Sequence, residues 1–197
     1  MGQGNSYTGA GYDARKQEND RTVINGQKED EVIPIVDVYT GEVGAGRKDM
    51  VLRSNAIGSC VVIVAYDPTE KVGGLAHAML PGAAPRGETS GRTKYASDAM
   101  EEMIDTMTRL GAKRGSIEVC LVGGGNVLKR KDDTICQANI SSVIELLKAR
   151  GINIRAQAVG GTERRGVSLD VNRGTVHYVE EDEEKKLLWK AEWEDSR

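Results

Sequence analysis

Between Ser54 and Pro81 the chain reads SNAIGSCVVIVAYDPTEKVGGLAHAMLP, two short apolar runs parted by Asp67-Pro68. The first is crowded with β-branched side chains, which favour a pleated strand, and Asp-Pro is turn chemistry. The pair therefore reads as a β-hairpin with a buried centre. Neither run approaches the roughly 20 apolar residues that a bilayer span requires, so no membrane crossing is expected. With no Phe and only two Trp in 197 residues, the core around this hairpin has to be aliphatic and lined with Met. The same scarcity of aromatic rings leaves almost no platform on which nucleic-acid bases could stack.

The elements around the hairpin alternate in type without a regular β-α-β rhythm. VIPIVDVYTGEV, starting at Val32, and the segment from Val51 read as strands. Residues 82–92, GAAPRGETSGR, form a loop placed to act as a lid. Tyr95, Ala96, Ala99, Met100, Met103, Ile104, Met107 and Leu110 recur at helical spacing and stop at Gly111. Ser116 to Val122 reads as a strand ending in Gly123-Gly124-Gly125. A second helix carries Ile140, Val143, Ile144 and Leu147 and closes at Gly151. After a strand over Ile152 to Ala158, residues Val167–Val171 and Thr175–Val179 flank Asn172-Arg173-Gly174 as a closing hairpin. Mixed order of this kind specifies an α+β domain of sheets layered with helices.

Charge and texture divide the chain into three. Residues 1–31 contain seven apolar side chains, too few to offset the entropy of ordering a backbone, and read as a flexible arm with a net charge of −2. Residues 32–179 form the domain. Residues 180–197 are a charged tail of net −4, in which Leu188 or Trp189 with Trp193 would make a short amphipathic helix if the tail is not simply solvated. The arm begins Met1-Gly2 and carries Ser6, a short match to a myristoylation pattern. It lacks a basic start followed by an apolar run, so a cytoplasmic location is expected. The remainder carries only +3, too little to drive polyanion binding, and no nucleic-acid partner is expected.

Three cysteines without a C-x-x-C fit neither a disulfide framework nor a zinc ribbon, and no metal site is expected. GEVGAGRK misses the phosphate-loop pattern at its Lys-Ser/Thr end, and the glycines after Val122 lack the complete dinucleotide fingerprint. Only two histidines exist. His177 falls inside a terminal strand and reads as structural. His77 lies in the second strand of the hairpin that Cys60 heads. If residues 67–70 form its loop, Cys60 falls opposite His77 on one face, with Cβ atoms about 5 Å apart. A thiolate held beside an imidazolium can attack a carbonyl, and the imidazole can protonate the leaving group. Gly58 and Ser59 would let the backbone turn its N–H groups toward a developing oxyanion. Ser54 and Asn55 would orient the histidine or donate to the substrate. The same spacing also suits a buried strand cysteine beside a core histidine.

The segment from Ser54 to Gly82 resembles the chemoreceptor glutamine deamidase CheD family in its hydroxyl-bearing residue, GSC turn and H-x-M-L-P setting seventeen positions after the cysteine. The likeness continues through KYASDAM, LVGGGNVL, Asn139 in ICQANI and VGGTERRGVSLDVNRG. It implies Cys60 as nucleophile, His77 as general acid/base and Ser54 at a position usually held by Thr. It further implies a cysteine hydrolase-like fold similar to the catalytic domain of cytotoxic necrotizing factor, and no cofactor. The implied reaction converts glutamines of methyl-accepting chemotaxis receptors to glutamate through a thioester, with receptor methylesterase action as a further possibility and the phosphatase CheC as a partner. The alternative is a non-catalytic chemotaxis adaptor that binds receptor or CheC. Ala158, where the family often has an acidic residue, and GGGNVL depart from the pattern.

Overall fold

A computed structural model describes residues 33–192. The proposed arm, with its myristoylation match, and Trp193 lie outside the described residues. Two five-stranded sheets and two helices make up the domain. The first sheet orders β1 (Ile35–Asp37), β3 (Val51–Ile57), β8 (Arg165–Asp170), β9 (Thr175–Glu180) and β10 (Lys186–Lys190). The second orders β2 (Val43–Arg47), β5 (Val72–Ala78), β4 (Val61–Asp67), β6 (Glu118–Gly123) and β7 (Ile154–Val159). Only β1–β3 and β6–β7 pair in parallel. The α+β class is thus observed.

The layers explain why the hairpin runs do not alternate. One face of the second sheet carries Val61, Ile63, Ala65 and Ala76 against α1 (Ala96–Arg109) and α2 (Thr134–Ala149). Its other face carries Val62, Val64, Leu75 and Val122 against Leu52, Ile57, Val167 and Leu169 of the first sheet. A central strand covered on both sides has no solvent face on which to place polar residues, and every residue of β4 and β5 is buried. The Met stripe of α1 is core: Met100, Met103 and Met107 are fully buried. At Gly74 a Cβ would meet the Met107 sulfur at 2.7 Å, so the missing side chain admits the helix.

Three expectations change. VIPIVDVYTGEV is not one strand: a turn at residues 39–42 breaks it, with β1 in one sheet and β2 in the other. Gly41 takes φ +81, and Glu42 closes the turn on Tyr39 through N–H to carbonyl at 2.9 Å. The hairpin register is also shifted by two, since Val62, not Cys60, lies opposite His77. The cause is Asp67, whose carboxylate accepts from the N–H groups of Thr69 and Glu70 at 2.9 and 3.2 Å. That cap holds Asp67 inside the ladder opposite Val72 and moves the loop to residues 68–71. An even shift preserves the face on which each side chain lies, so Cys60 and His77 stay on the same side. Finally, residues 186–190 form neither a helix nor a solvated tail but β10, which pairs with β9 and lays Trp189 edge-on to Tyr66.

Candidate active site

The chain passes from the first sheet to the second at residues 38–42 and again at residues 58–60, and His77 lies beside both crossings. Its backbone continues the β2–β5 pairing into the first: Gly41 N–H donates to the His77 carbonyl at 2.8 Å, and His77 N–H to the Glu42 carbonyl at 3.0 Å. The imidazole is 1% exposed and points across the gap between the sheets to Ser54 of β3. Ser54 Oγ lies 2.9 Å from His77 Nδ1 and 2.6 Å from the Val38 carbonyl. A carbonyl only accepts, so the single hydroxyl hydrogen belongs to Val38, and Nδ1 must be the donor to Ser54. Nε2 is then the unprotonated nitrogen. It faces the Thr40 hydroxyl at 3.4 Å.

Cys60 is the one partly accessible cysteine of three. Burial raises its thiol pKa, opposed by its own backbone N–H and by a hydrogen bond from the Thr40 hydroxyl. Burial likewise lowers the His77 pKa, opposed by the Val38 carbonyl and the Glu42 carboxylate. Both shifts disfavour charge, so the resting pair is a neutral thiol and a neutral imidazole. In each case burial removes hydration that the hydrogen bonds return only in part. The other cysteines are set apart by burial: Cys120 is pushed up to about 12 within the inter-sheet core, and Cys136 to about 11.

The turn that carries Cys60 is gripped from two sides. Gly124 and Gly125 donate to the carbonyls of Cys60 and Gly58 at 2.7 and 2.8 Å. Gly123 takes φ +119, and a Cβ there would overlap the Cys60 carbonyl. From α2, the buried Asn139 sends Nδ2 to the Ser59 carbonyl at 2.9 Å and to the Met79 carbonyl at 3.1 Å. One carboxamide thus ties the nucleophile's turn to the end of the histidine's strand. Its Oδ1 is buried without a partner among the described residues.

The residues singled out from sequence do not all converge. Ser54 and His77 are hydrogen-bonded, and the Thr40 hydroxyl faces His77 Nε2, while no hydrogen bond joins Cys60 to His77 among the described residues. Ser59 serves through its carbonyl, as does Gly58. The left-handed residue beside the turn is Ala56, at φ 58, not Gly58. It belongs to a bulge in β3 that turns Asn55 away to line a cavity with Val127, Arg165 and Gly166. Thr40 and the bridging role of Asn139 escaped the sequence reading. A turn signal, Thr-Gly, marked the first; the second carried none beyond its place in a matching segment. The loop expected as a lid is tied down, with Gly82 N–H on Ser142 Oγ at 2.8 Å and Ala84 N–H on Asp98 at 2.8 Å.

Layered sheets with a histidine hydrogen-bonded across them, and a partly accessible cysteine where the chain crosses between them, define an α+β protein. A family model described as CheD chemotactic sensory transduction matches residues 79–180. The chain belongs to the CheD family. A relative from Chlorobium luteolum, named a probable chemoreceptor glutamine deamidase CheD, is 38% identical over 156 residues, covering 79% of this chain and 78% of its own. The chemoreceptor glutamine deamidase CheD of Thermotoga maritima is 32% identical over 134 residues, covering 68% and 84%. Among solved structures, the hypothetical protein YfiH of Bacillus licheniformis covers 67% of this chain and 61% of its own at 15% identity, with a TM-score of 0.39, a likeness too distant to bear on the fold. No helix of the described residues is long and apolar enough to cross a membrane.

Proposed function

We propose that this protein hydrolyses selected glutamine side chains of methyl-accepting chemotaxis receptors to glutamate, releasing ammonia. The observation that carries the reading is the tautomer imposed by Ser54, which leaves His77 Nε2, facing the Thr40 hydroxyl, free to act as a base. The thiol gives up its proton and sulfur attacks the carboxamide carbon. Negative charge then gathers on the carbonyl oxygen, where the Cys60 backbone N–H would stabilise it. The imidazolium passes its proton to the departing nitrogen, which leaves as ammonia, a far better leaving group than an amide ion. Water activated by the same imidazole opens the thioester, giving glutamate and the free thiol. A glutamyl methyl ester would form the same acyl-enzyme with methanol as leaving group, which is how receptor methylesterase action would arise.

A receptor is a protein-sized substrate and suits a thiol at the surface end of a sheet crossing rather than in a deep pocket. We place the protein in the cytoplasm, with CheC as a partner that competes with receptor for the same surface. The deciding experiment is mass spectrometry of receptor cytoplasmic fragments incubated with wild-type protein or Cys60→Ala. Deamidation is read as a gain of about 1 Da per glutamine with stoichiometric ammonia. It should occur with the first protein and not the second. Unmodified glutamine across several receptors, with binding retained, would instead identify an adaptor.

A further inference from the structure

The outer face of the β9–β10 pair gathers positive charge in a chain whose net charge is −3. Thr175 and His177 lie two apart on β9 and so point the same way, and their register partners on β10 are Lys190 and Leu187. Val176 and Trp189 face the core instead. At the end of this face the Asn172-Arg173 turn and Lys71 close a cavity of about 490 Å³, a volume typical of small-molecule sites. Its lining includes the cations Lys71, Arg173 and Lys190 and no carboxylate. Lys71 stands six residues before His77 at the head of β5, about 20 Å away at the strand rise, so the cavity is at the opposite end of the sheets from the candidate active site. The rim is fixed by its own bonds. Asp170 Oδ1 accepts from the Arg173 N–H at 2.9 Å, and the Thr175 hydroxyl donates to the Arg173 carbonyl at 3.1 Å. The Arg173 guanidinium reaches Asp170 through one nitrogen at 3.6 Å and is otherwise exposed, which leaves most of its five donors available. Lys190 has no ion pair, and the Asn172 carboxamide no hydrogen bond, among the described residues. The acidic side chains nearest on the β9–β10 connection, Glu180 and Glu183, are engaged by Arg165 and Lys186.

We propose that this cavity binds a small phosphoryl-bearing anion, with Lys71, Arg173 and Lys190 on the phosphoryl oxygens and Asn172 and His177 donating hydrogen bonds. A planar guanidinium meets two such oxygens at once, and the ammonium groups add charge without a directional demand. Burial and Lys185 lower the His177 pKa, against Asp170, so near pH 7 the ring brings a neutral N–H rather than a charge. Leu187, 59% exposed at one wall, supplies an apolar surface for a ring attached to the phosphoryl group. The site stands apart from the glutamine reaction and does not depend on it.

The test is isothermal titration calorimetry of the full chain at physiological salt with inorganic phosphate, pyrophosphate and adenosine triphosphate. Saturable binding of one anion per chain is expected, with pyrophosphate tighter than phosphate. Arg173→Gln and Lys190→Gln should each weaken it by about tenfold, the loss of one charge-assisted hydrogen bond. Both side chains are exposed, so the variants should fold, which urea unfolding verifies. Lys148→Gln removes the same charge from α2, beyond the second sheet, and should leave the affinity unchanged. A triphosphate tighter than pyrophosphate would support the site with a nucleotide as its source of phosphoryl groups, and equal affinities would support it with the phosphoryl anion alone. No saturable binding of any of the three at millimolar concentration would overturn the proposal. So would equal weakening by Lys148→Gln and Lys190→Gln, which would reduce the effect to general charge attraction.

Discussion

Ser54 and His77 meet across the gap between the two sheets, Oγ to Nδ1 at 2.9 Å, and the serine has only an acceptor to offer because its hydrogen is held by Val38. This contact selects the tautomer that makes the histidine useful. Ser54→Ala removes that selection and leaves a buried carbonyl short of one donor, a loss of about 1–3 kcal/mol in stability. Because the wrong tautomer presents N–H toward Thr40 and leaves no base on that nitrogen, kcat should fall by about 10²-fold, toward the lower range of general-base effects. Ser54→Thr keeps the hydroxyl and should stay within a few-fold of wild type. Ammonia release at saturating receptor fragment, with urea unfolding to subtract the stability change, measures both.

Asn139 provides a sharper comparison. Its Nδ2 holds the Ser59 and Met79 carbonyls, whereas Oδ1 has no partner among the described residues. Only the donor half therefore supports the site. Asn139→Asp retains the idle oxygen and replaces the donor with a second acceptor aimed at two carbonyls, which is repulsive as well as unpaired. It should lose more activity than Asn139→Ala, and both should lose kcat in greater proportion than stability. A ranking in which Asp outperforms Ala would mean that the bridge does not position Cys60. Thermal unfolding and initial rates of the three proteins make the comparison.

How much of this was readable beforehand depends on the range of each contact. The hairpin, the Met-rich helix and the closing β8–β9 pair follow from local periodicity and turn residues. So does the suspicion attached to Cys60 and His77, because the chain has only two histidines and one falls in a strand next to a cysteine. Periodicity reports which face a side chain occupies and nothing about what faces it. Thr40 and His77 are 37 residues apart and Asn139 and Ser59 are 80, so those contacts exist only once the sheets stack and α2 docks. Register failed for a smaller reason: the Asp67 cap moved the loop by one residue, and that changed every paired number by two. β10 was hidden because charge dominates residues 180–197, while the two side chains that matter, Trp189 and Ala191, are isolated within it.

The neutral resting pair predicts a particular pH response. The Cys60 pKa is raised, so alkylation of the free enzyme should climb through a midpoint above that of an exposed cysteine peptide. The His77 pKa is lowered from 6.5, so its basic form persists below that pH and the acidic limb of kcat/KM should lie lower than an unperturbed histidine would place it. Stability follows the opposite course. At pH 8 the imidazole is neutral in both folded and unfolded chains. As pH falls through 6.5 the unfolded chain takes up the proton first, so stability is lost between 6.5 and the lower folded value. His177 is shifted the same way and adds to the slope. Urea midpoints at pH 8, 7, 6 and 5 should fall, and fall less steeply in His77→Gln.

The C-terminal strand should matter to folding and not to chemistry. Trp189 stands edge-on to the buried Tyr66 with ring centroids 6.3 Å apart and planes at 68°, and Ala191 N–H closes onto the Gly174 carbonyl at 2.8 Å. The Tyr66 hydroxyl in turn donates to the Val171 carbonyl at 3.0 Å, so β10 covers the ring that secures the β8–β9 turn. β10 is separated from β3, and hence from Ser54, by β8 and β9. Trp189→Ala removes a half-buried indole and an edge-to-face pair, a cost of about 1–3 kcal/mol. At 25 °C the variant should retain the wild-type kcat and Cys60 alkylation rate while unfolding at lower urea. Unchanged urea stability would show that the strand pairing contributes nothing in solution, and a fall in kcat at full folding would link this edge of the sheet to the site.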